Sequence, residues 1–413
     1  MRVLVLSSVF PNAKEPDLGV FVRERVRRVA RHCHLVVVAP VPWFPGNRLI
    51  RGPLYAGVPR CEEEDAVRVY HPRFLCVPHY LKCLDGVLYA ASLLPFLLRL
   101  RKRFPFDLID AHFAYPDGLA GALLGNVFGC PVVITLRGSI VRLATYRTPL
   151  PQLRFALASA ARVLSVSESL KRAAVELGIS AEKIRVVPNG VDPTRFRPMD
   201  RAAARRGLGL PLDRTVLLSV GGLLEGKGQH RIVALLPRLL RRRPDLLYAV
   251  VGSGRRGDPG QELVERLIAD HGLQGHVLLA GQRPHQEIPW WFGAADLFCL
   301  ATRSEGWSNV LLEAIACGRP VVSTRVGGNP EIVRDESLGL LVPPADDDAL
   351  ERAILFALDR PWDPEALAAR ARAHSWEAAA AAIVEEFQRV APGGLPEACP
   401  QPGTATGLSR GGR

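Results

Sequence analysis

A chain of two α/β domains, each a parallel sheet with helices on both faces, is predicted by three features of this sequence. Its 413 residues, 48% apolar and 23% charged, exceed what one hydrophobic core organises. Short β-branched runs recur between stretches of helical periodicity, the pattern of parallel strands joined by crossover helices. That alternation breaks at the loop-like stretch Pro188 to Pro198 and then restarts.

The first series of strands reads Val3 to Leu6, Leu35 to Val38, Leu108 to Asp110, Val132 to Leu136, Val163 to Val166 and Ile184 to Val187. The second reads Val216 to Val220, Leu246 to Val251, Val277 to Ala280, Leu297 to Leu300, Val321 to Thr324 and Gly339 to Val342. The opening Met1 to Leu6 has no charged n-region, long apolar core or small-residue cleavage site. It therefore reads as a core strand of a cytoplasmic protein. The longest apolar run, Val87 to Leu98, is interrupted by Pro95 and is about half the ~20 residues a membrane-spanning helix needs. After Pro361 the chain turns Ala-rich and amphipathic to about Val390, a pattern of terminal helices. Residues 391–413, rich in Gly, Pro, Ser and Thr, read as a disordered tail.

The eight cysteines are scattered without paired spacing, which suits reduced core thiols. His71, Cys76, His79 and Cys83 fit no common zinc pattern. A net charge of +12 calls for an anionic partner, either phosphorylated substrates or an anionic membrane surface, to which the protein would bind peripherally. Nucleic acid is not expected, since no aromatic-basic module accompanies the charge.

The densest chemistry lies in Ser304-Glu305-Gly306-Trp307-Ser308-Asn309-Val310-Leu311-Leu312-Glu313-Ala314, directly after an apolar strand. Ser308 or Asn309 would cap a helix running from Val310 to Ala316, with Gly318 as the left-handed residue after it. A glycine turn at a helix N-terminus presents backbone N–H groups and the positive end of the dipole, a setting for phosphate. Glu305 on the loop and Glu313 inside the helix would flank one elongated ligand. Alone, this segment reads equally as a capped helix with exposed glutamates.

Other motifs accompany it in order. They are Pro188-Asn189-Gly190-Val191-Asp192 with Phe196, Val220-Gly221-Gly222-Leu223 with Gly226-Lys227-Gly228, Val251-Gly252-Ser253-Gly254, Ala294-Ala295-Asp296, and Gly327-Gly328-Asn329-Pro330-Glu331. Together with the Glu-x7-Glu spacing of Glu305 and Glu313, they resemble the group 1 (family 4) retaining glycosyltransferases over roughly residues 1–390. The resemblance implies a GT-B fold, two Rossmann-like domains whose parallel sheets face across a cleft. Residues 1–195 would bind the acceptor and 196–372 the nucleotide sugar, with a helix at 373–390 packing back on the first domain.

It also implies roles. Lys227 would be the cation on the donor diphosphate, Glu313 the partner of the ribose, and Glu305 a contact to the sugar near its reacting carbon. Gly221, Gly222, Gly252 and the segment Gly306, Trp307, Ser308, Asn309 and Val310 would complete the donor site, with Gly19 in the glycine loop after the first strand. His112 would lie near the transferred sugar, with Phe21, Asp117 and Arg137 on the acceptor side. The donor would be of the UDP or GDP type, and the acceptor a saccharide or lipid-linked saccharide of surface polysaccharide, capsule or glycolipid assembly. No cofactor or metal is expected.

Three positions depart from the family pattern. Gly222 stands where Arg is frequent, so either Lys227 carries more of the phosphate charge or another arginine supplies the second cation. Arg137 and Ile140 depart from a segment that often carries His and Asp. An arginine in the cleft would favour a phosphorylated or carboxylated acceptor.

Two patterns point to other classes. Gly252-Ser253-Gly254-Arg255-Arg256-Gly257 satisfies GxGxxG after a strand, the fingerprint of an NAD-dependent oxidoreductase. However, Asp258-Pro259-Gly260 interrupts the helix required there, and no acid follows the next strand. An epimerase or a non-catalytic nucleotide-sugar binder on the same scaffold is the other alternative. Asp346-Asp347-Asp348 looks like a metal-binding Asp-x-Asp but precedes a helical pattern, so it reads as an N-cap and first-turn carboxylates.

Overall fold

The computed structural model describes residues 1–44, 57–65, 67–76, 82–146, 148–254 and 258–391. The first half contributes β1 (Arg2–Leu6), β2 (His34–Val38), β3 (Val41–Trp43), β4 (Cys61–Glu64), β5 (Val67–Tyr70), β6 (Arg73–Leu75), β7 (Leu108–His112), β8 (Val132–Leu136), β9 (Arg162–Ser165) and β10 (Ile184–Val186). Eight of these form one sheet in the order β10-β9-β8-β7-β1-β2-β5-β4, while β3 and β6 pair separately. Every pairing in the large sheet is parallel except β4 with β5.

The second half gives β11 (Thr215–Val220), β12 (Leu246–Val251), β13 (Val277–Gly281), β14 (Leu297–Leu300), β15 (Val321–Thr324) and β16 (Gly339–Val342). They form an all-parallel sheet in the order β13-β12-β11-β14-β15-β16. Helices cover both faces, so β7, β8, β12, β14 and β15 are buried along their whole length.

Each strand read from the sequence is present, with ends displaced by no more than two residues. Four strands between residues 41 and 75 were not foreseen. They are only three or four residues long, and β4 is the polar, half-exposed Cys-Glu-Glu-Glu at a sheet edge. Neither length nor hydropathy marks such segments. In this region His71 is buried, with Nδ1 2.9 Å from the Ala39 carbonyl and Nε2 2.7 Å from the Glu62 carboxylate. His79 and residues 392–413, including nearly all of the expected tail, lie outside the described residues.

Contacts running in both directions bind the halves together. The helix Trp376–Val390 crosses to the first half and packs on the helix Val20–Val29, where Trp376, Ile383 and Phe387 share a core with Val3, Val22 and Val26. Arg162 Nε donates to the buried Glu386 carboxylate at 2.5 Å. The junction is tight: a Cβ on Gly190 would lie 2.2 Å from the Trp376 backbone nitrogen. In the other direction, Glu331 of the second half accepts the Glu168 and Ser169 amides at 2.8 and 3.0 Å. It thus joins Ser167 in capping the helix Glu168–Glu176 of the first half.

Candidate active site

Parallel strands of both sheets end at one cleft, the place where open α/β sheets bind ligands. The loops after β11, β12 and β13 supply Gly221, Gly222, Gly252, Ser253 and Arg283 to its wall, the loop after β1 supplies Lys14 and Asp17, and the helix Val20–Val29 supplies Phe21. The cleft holds about 790 Å³. Gln282 donates to Asp17 at 2.8 Å across it.

Lys227 and Glu305 arrive together. The turn Glu225–Lys227 is fastened to the loop after β14, because Arg303 N and Thr302 Oγ1 both donate to the Gly226 carbonyl, at 2.8 and 3.1 Å. That loop carries Glu305, whose Oε1 accepts from Lys227 Nζ at 2.6 Å. Behind it, Gly327 has φ +51°, and a Cβ there would stand 1.7 Å from the Glu305 carbonyl oxygen. Only glycine allows this approach. Gly306 in turn lies against Gly138 of the first half, so the Glu305 loop is wedged between the two halves.

The helix following the loop runs Asn309–Ala316 and ends at Gly318 with φ +72°, as read from the sequence. Its expected side-chain cap is not made. Ser308 is the N-cap residue, but its hydroxyl is buried without a partner, and Asn309 Oδ1 instead accepts from Asn189 at 3.0 Å. The helix's first amides, which have no intrahelical acceptor, are thus left without a side-chain cap. Asn309, Val310 and Glu313 line the cleft, with the Glu313 carboxylate 3.8 Å from His285 Nε2. Trp307 is buried against His374.

Of the residues singled out from sequence, Phe21, Gly221, Gly222, Lys227, Gly252, Asn309, Val310 and Glu313 line this cleft. Glu305 reaches it through Lys227. Gly19 lies one layer back, held against Val9 in a left-handed conformation at the start of the helix Val20–Val29.

His112, Asp117 and Arg137 are all buried, and none is among the residues that line this cleft. Asp117 accepts from the Ser8 amide, from Ser8 Oγ at 2.9 Å and from Tyr89 at 2.8 Å, so it fastens the loop after β1. Arg137 lies beneath Phe21, its guanidinium carbon 4.6 Å from the ring centre, and donates to His112 Nδ1 at 3.1 Å. His112 Nε2 in turn faces Asp110 at 3.2 Å, and Arg25 approaches the other oxygen of Asp110 at 3.6 Å. A strand-end position in the sequence identifies the layer but not which side chains turn inward. The cleft also holds Arg195, Arg283 and His285, which were not foreseen. For Arg283 a signal existed, its place just after β13.

The two bonds of His112 select one tautomer, with the proton on Nε2 and the lone pair on Nδ1 facing Arg137. Burial first, and then Arg25 and Arg137, outweigh the pull of Asp110 and lower its pKa to about 4. A second proton would be bound by the unfolded chain at ordinary pKa ~6.5 but not by the folded one, so stability is lost as pH falls from 6.5 towards 4. At pH 5 this histidine should account for about 2 kcal/mol of that loss. Urea unfolding of wild type and His112→Gln at pH 7 and pH 5 tests it: the variant should be less acid-sensitive by that amount, and equal sensitivity would contradict the lowered pKa of His112.

Comparison with known proteins adds to this geometry. The family described as "Glycosyl transferases group 1" matches residues 200–374, and that described as "Glycosyltransferase Family 4" matches residues 18–195. A Bacillus subtilis (strain 168) protein described as a teichuronic acid biosynthesis glycosyltransferase, TuaC, is 30% identical over 88% of this chain and 91% of its own. Among solved structures, a sucrose-phosphate synthase from Thermosynechococcus elongatus superposes with TM-score 0.78 at 23% identity, covering 95% of this chain and 100% of that one. Anabaena HepE in complex with UDP gives 0.71 at 21% identity, covering 94% and 100%. The fold shared with these two structures is GT-B.

Proposed function

The chain belongs to the group 1 glycosyltransferases, and on that premise we propose that it transfers a hexose-type sugar from a nucleoside diphosphate to a saccharide acceptor, retaining the anomeric configuration. The pairing of Lys227 with Glu305 at the cleft, with Glu313 further along the same wall, is the observation that carries this reading. An ammonium has three donors, and only one is used on Glu305, so two remain for phosphate oxygens. Breaking the anomeric C–O bond leaves positive charge on the sugar and negative charge on the diphosphate. Lys227 and the uncapped helix amides stabilise the latter. Glu305, held by Lys227, accepts from sugar hydroxyls, and Glu313 from the ribose. The acceptor hydroxyl attacks the same face that the diphosphate leaves, and its proton passes to a donor phosphate oxygen.

Thermal shifts with UDP, GDP and ADP and their hexose conjugates test the reading. The matching nucleotide at 100 times its Kd should add about 2.7 kcal/mol. No response to any of them would sink it. UDP is the first choice, because HepE was crystallised with it. The name of TuaC favours an acceptor from cell-surface polymer assembly.

Turnover is proposed to need no divalent metal. Asp346 caps its helix by accepting from Ala349 N at 2.8 Å, while Asp347 and Asp348 point to Arg231 and Arg238 on separate partners. Their carboxylates do not converge as a hard cation requires. Activity should persist in excess EDTA, and the double change Asp346→Asn with Asp348→Asn should leave kcat within about twofold. Dependence on Mn²⁺ that this double change removes would contradict the proposal.

A peripheral stay on an anionic bilayer fits a lipid-linked acceptor. Among the described residues no helix is long and apolar enough to cross a membrane. The helix Asp85–Arg103, however, exposes Val87 and Leu98 and ends in Arg101, Lys102 and Arg103. Sedimentation with anionic vesicles should exceed that with neutral ones and fall as salt rises, given a screening length of ~8 Å at physiological ionic strength. Equal binding to both would exclude this association.

A further inference from the structure

Lys227 is partly spent on Glu305, and Gly222 offers no side chain, so the cleft needs another cation if a doubly charged diphosphate is to sit there. Arg195 is placed for it. It stands in the junction between the halves, half-buried, on the cleft wall. Its backbone nitrogen donates to the Asp192 carbonyl and its guanidinium lies beside the Phe196 ring, 5.6 Å from the centre. Among the described residues that guanidinium makes no hydrogen bond and no ion pair. It feels Glu24 on one side of the cleft and Glu313 on the other, yet neither is near enough to pair with it. Arg28, by contrast, is paired with Asp192 at the same junction. A half-desolvated guanidinium without a partner is costly unless a ligand completes it.

Resting on the reading that Glu313 holds the ribose, we infer that Arg195 is the second cation on the donor diphosphate and that it takes the phosphate nearest the ribose, leaving the outer one to Lys227. The ribose and the first phosphate are joined through a single bridging oxygen, so a cation flanking Glu313 meets that phosphate first. A planar guanidinium suits two phosphate oxygens at once. Arg195 would then supply from the junction the charge that Gly222 lacks. The exchange is reversible in principle, because a Cβ on Gly222 would meet Leu224 Cγ at 3.4 Å and the Ser253 carbonyl oxygen at 3.6 Å, ordinary contacts that leave room for a side chain.

Calorimetric titration of UDP, UMP and uridine, with the guanine series in parallel, on wild type, Arg195→Gln and Arg195→Gln with Gly222→Arg provides the test. Arg195→Gln should weaken both the mono- and the diphosphate roughly ten- to a hundredfold while leaving the nucleoside unchanged. Adding Gly222→Arg should restore diphosphate affinity about tenfold or more, which a merely packing role for Arg195 would not allow. Undiminished diphosphate binding by Arg195→Gln, a parallel loss for the nucleoside, or failure of the second change to restore affinity would each overturn the assignment. If wild type itself bound neither UDP nor GDP, the reading on which the assignment rests would fall with it, an outcome distinct from the others because it appears before any substitution.

Discussion

Replacing Lys227 by Ala should lower kcat/KM roughly thirty- to a thousandfold, ~2 to 4 kcal/mol of transition-state stabilisation. The size follows from two effects acting together. In the proposed reaction the developing charge on the leaving diphosphate would lose a cation, and Glu305, now without the ammonium 2.6 Å away, would present an uncompensated carboxylate to the same ligand. Nucleotide affinity should therefore fall as well as turnover. Combining Lys227→Ala with Glu305→Gln removes the second effect, so it should recover part of the nucleotide affinity without recovering turnover. Steady-state kinetics with the cognate nucleotide sugar, alongside nucleotide titration, separates the two. Turnover by Lys227→Ala at the wild-type rate would show that the leaving group is stabilised elsewhere.

Phe387→Ala should cost about 3 to 5 kcal/mol of stability, the range for emptying a buried aromatic site. Phe387 is fully buried in the core that the helix Trp376–Val390 shares with β1 and the helix Val20–Val29. Its loss leaves a cavity that cannot easily collapse, because the helix is held by the Ser375 cap, by the close approach of Gly190 to Trp376, and by the Arg162–Glu386 pair. Denaturant unfolding followed by a probe in the first half should show the shift. A loss below about 1 kcal/mol would mean that the helix contributes little to that core.

Much of this architecture is legible in the residues because buried parallel strands are written as continuous apolar runs, as in β12 with Leu-Leu-Tyr-Ala-Val-Val. The Asp346 cap was legible for the same kind of reason, a local bond between near neighbours. That Lys227, Glu305 and Glu313 gather at one cleft was legible through their spacing, since they belong to short segments after strand ends. What escaped depends on long-range packing. Ser308 has the right residue type for a cap, yet its hydroxyl turns into the protein. His112, Asp117 and Arg137 stand at strand ends that face the cleft, but Phe21 covers Arg137, and Asp117 turns towards Ser8 and Tyr89. Arg195 lies in a stretch read only as a connecting loop, and nothing in its neighbours shows that its charge is left unpaired.

The return of the helix Trp376–Val390 to the first half bears on how the protein is made. A ribosome releases β1 and the helix Val20–Val29 early, but the apolar face formed by Val3, Val22 and Val26 stays uncovered until Ile383 and Phe387 emerge, after the whole second sheet has been synthesised. During that interval the nascent first half carries an open apolar patch, the kind of surface that makes incompletely folded chains prone to aggregate. Ribosome-bound chains arrested before residue 376 should therefore be digested readily by protease around the helix Val20–Val29, whereas released full-length chains resist.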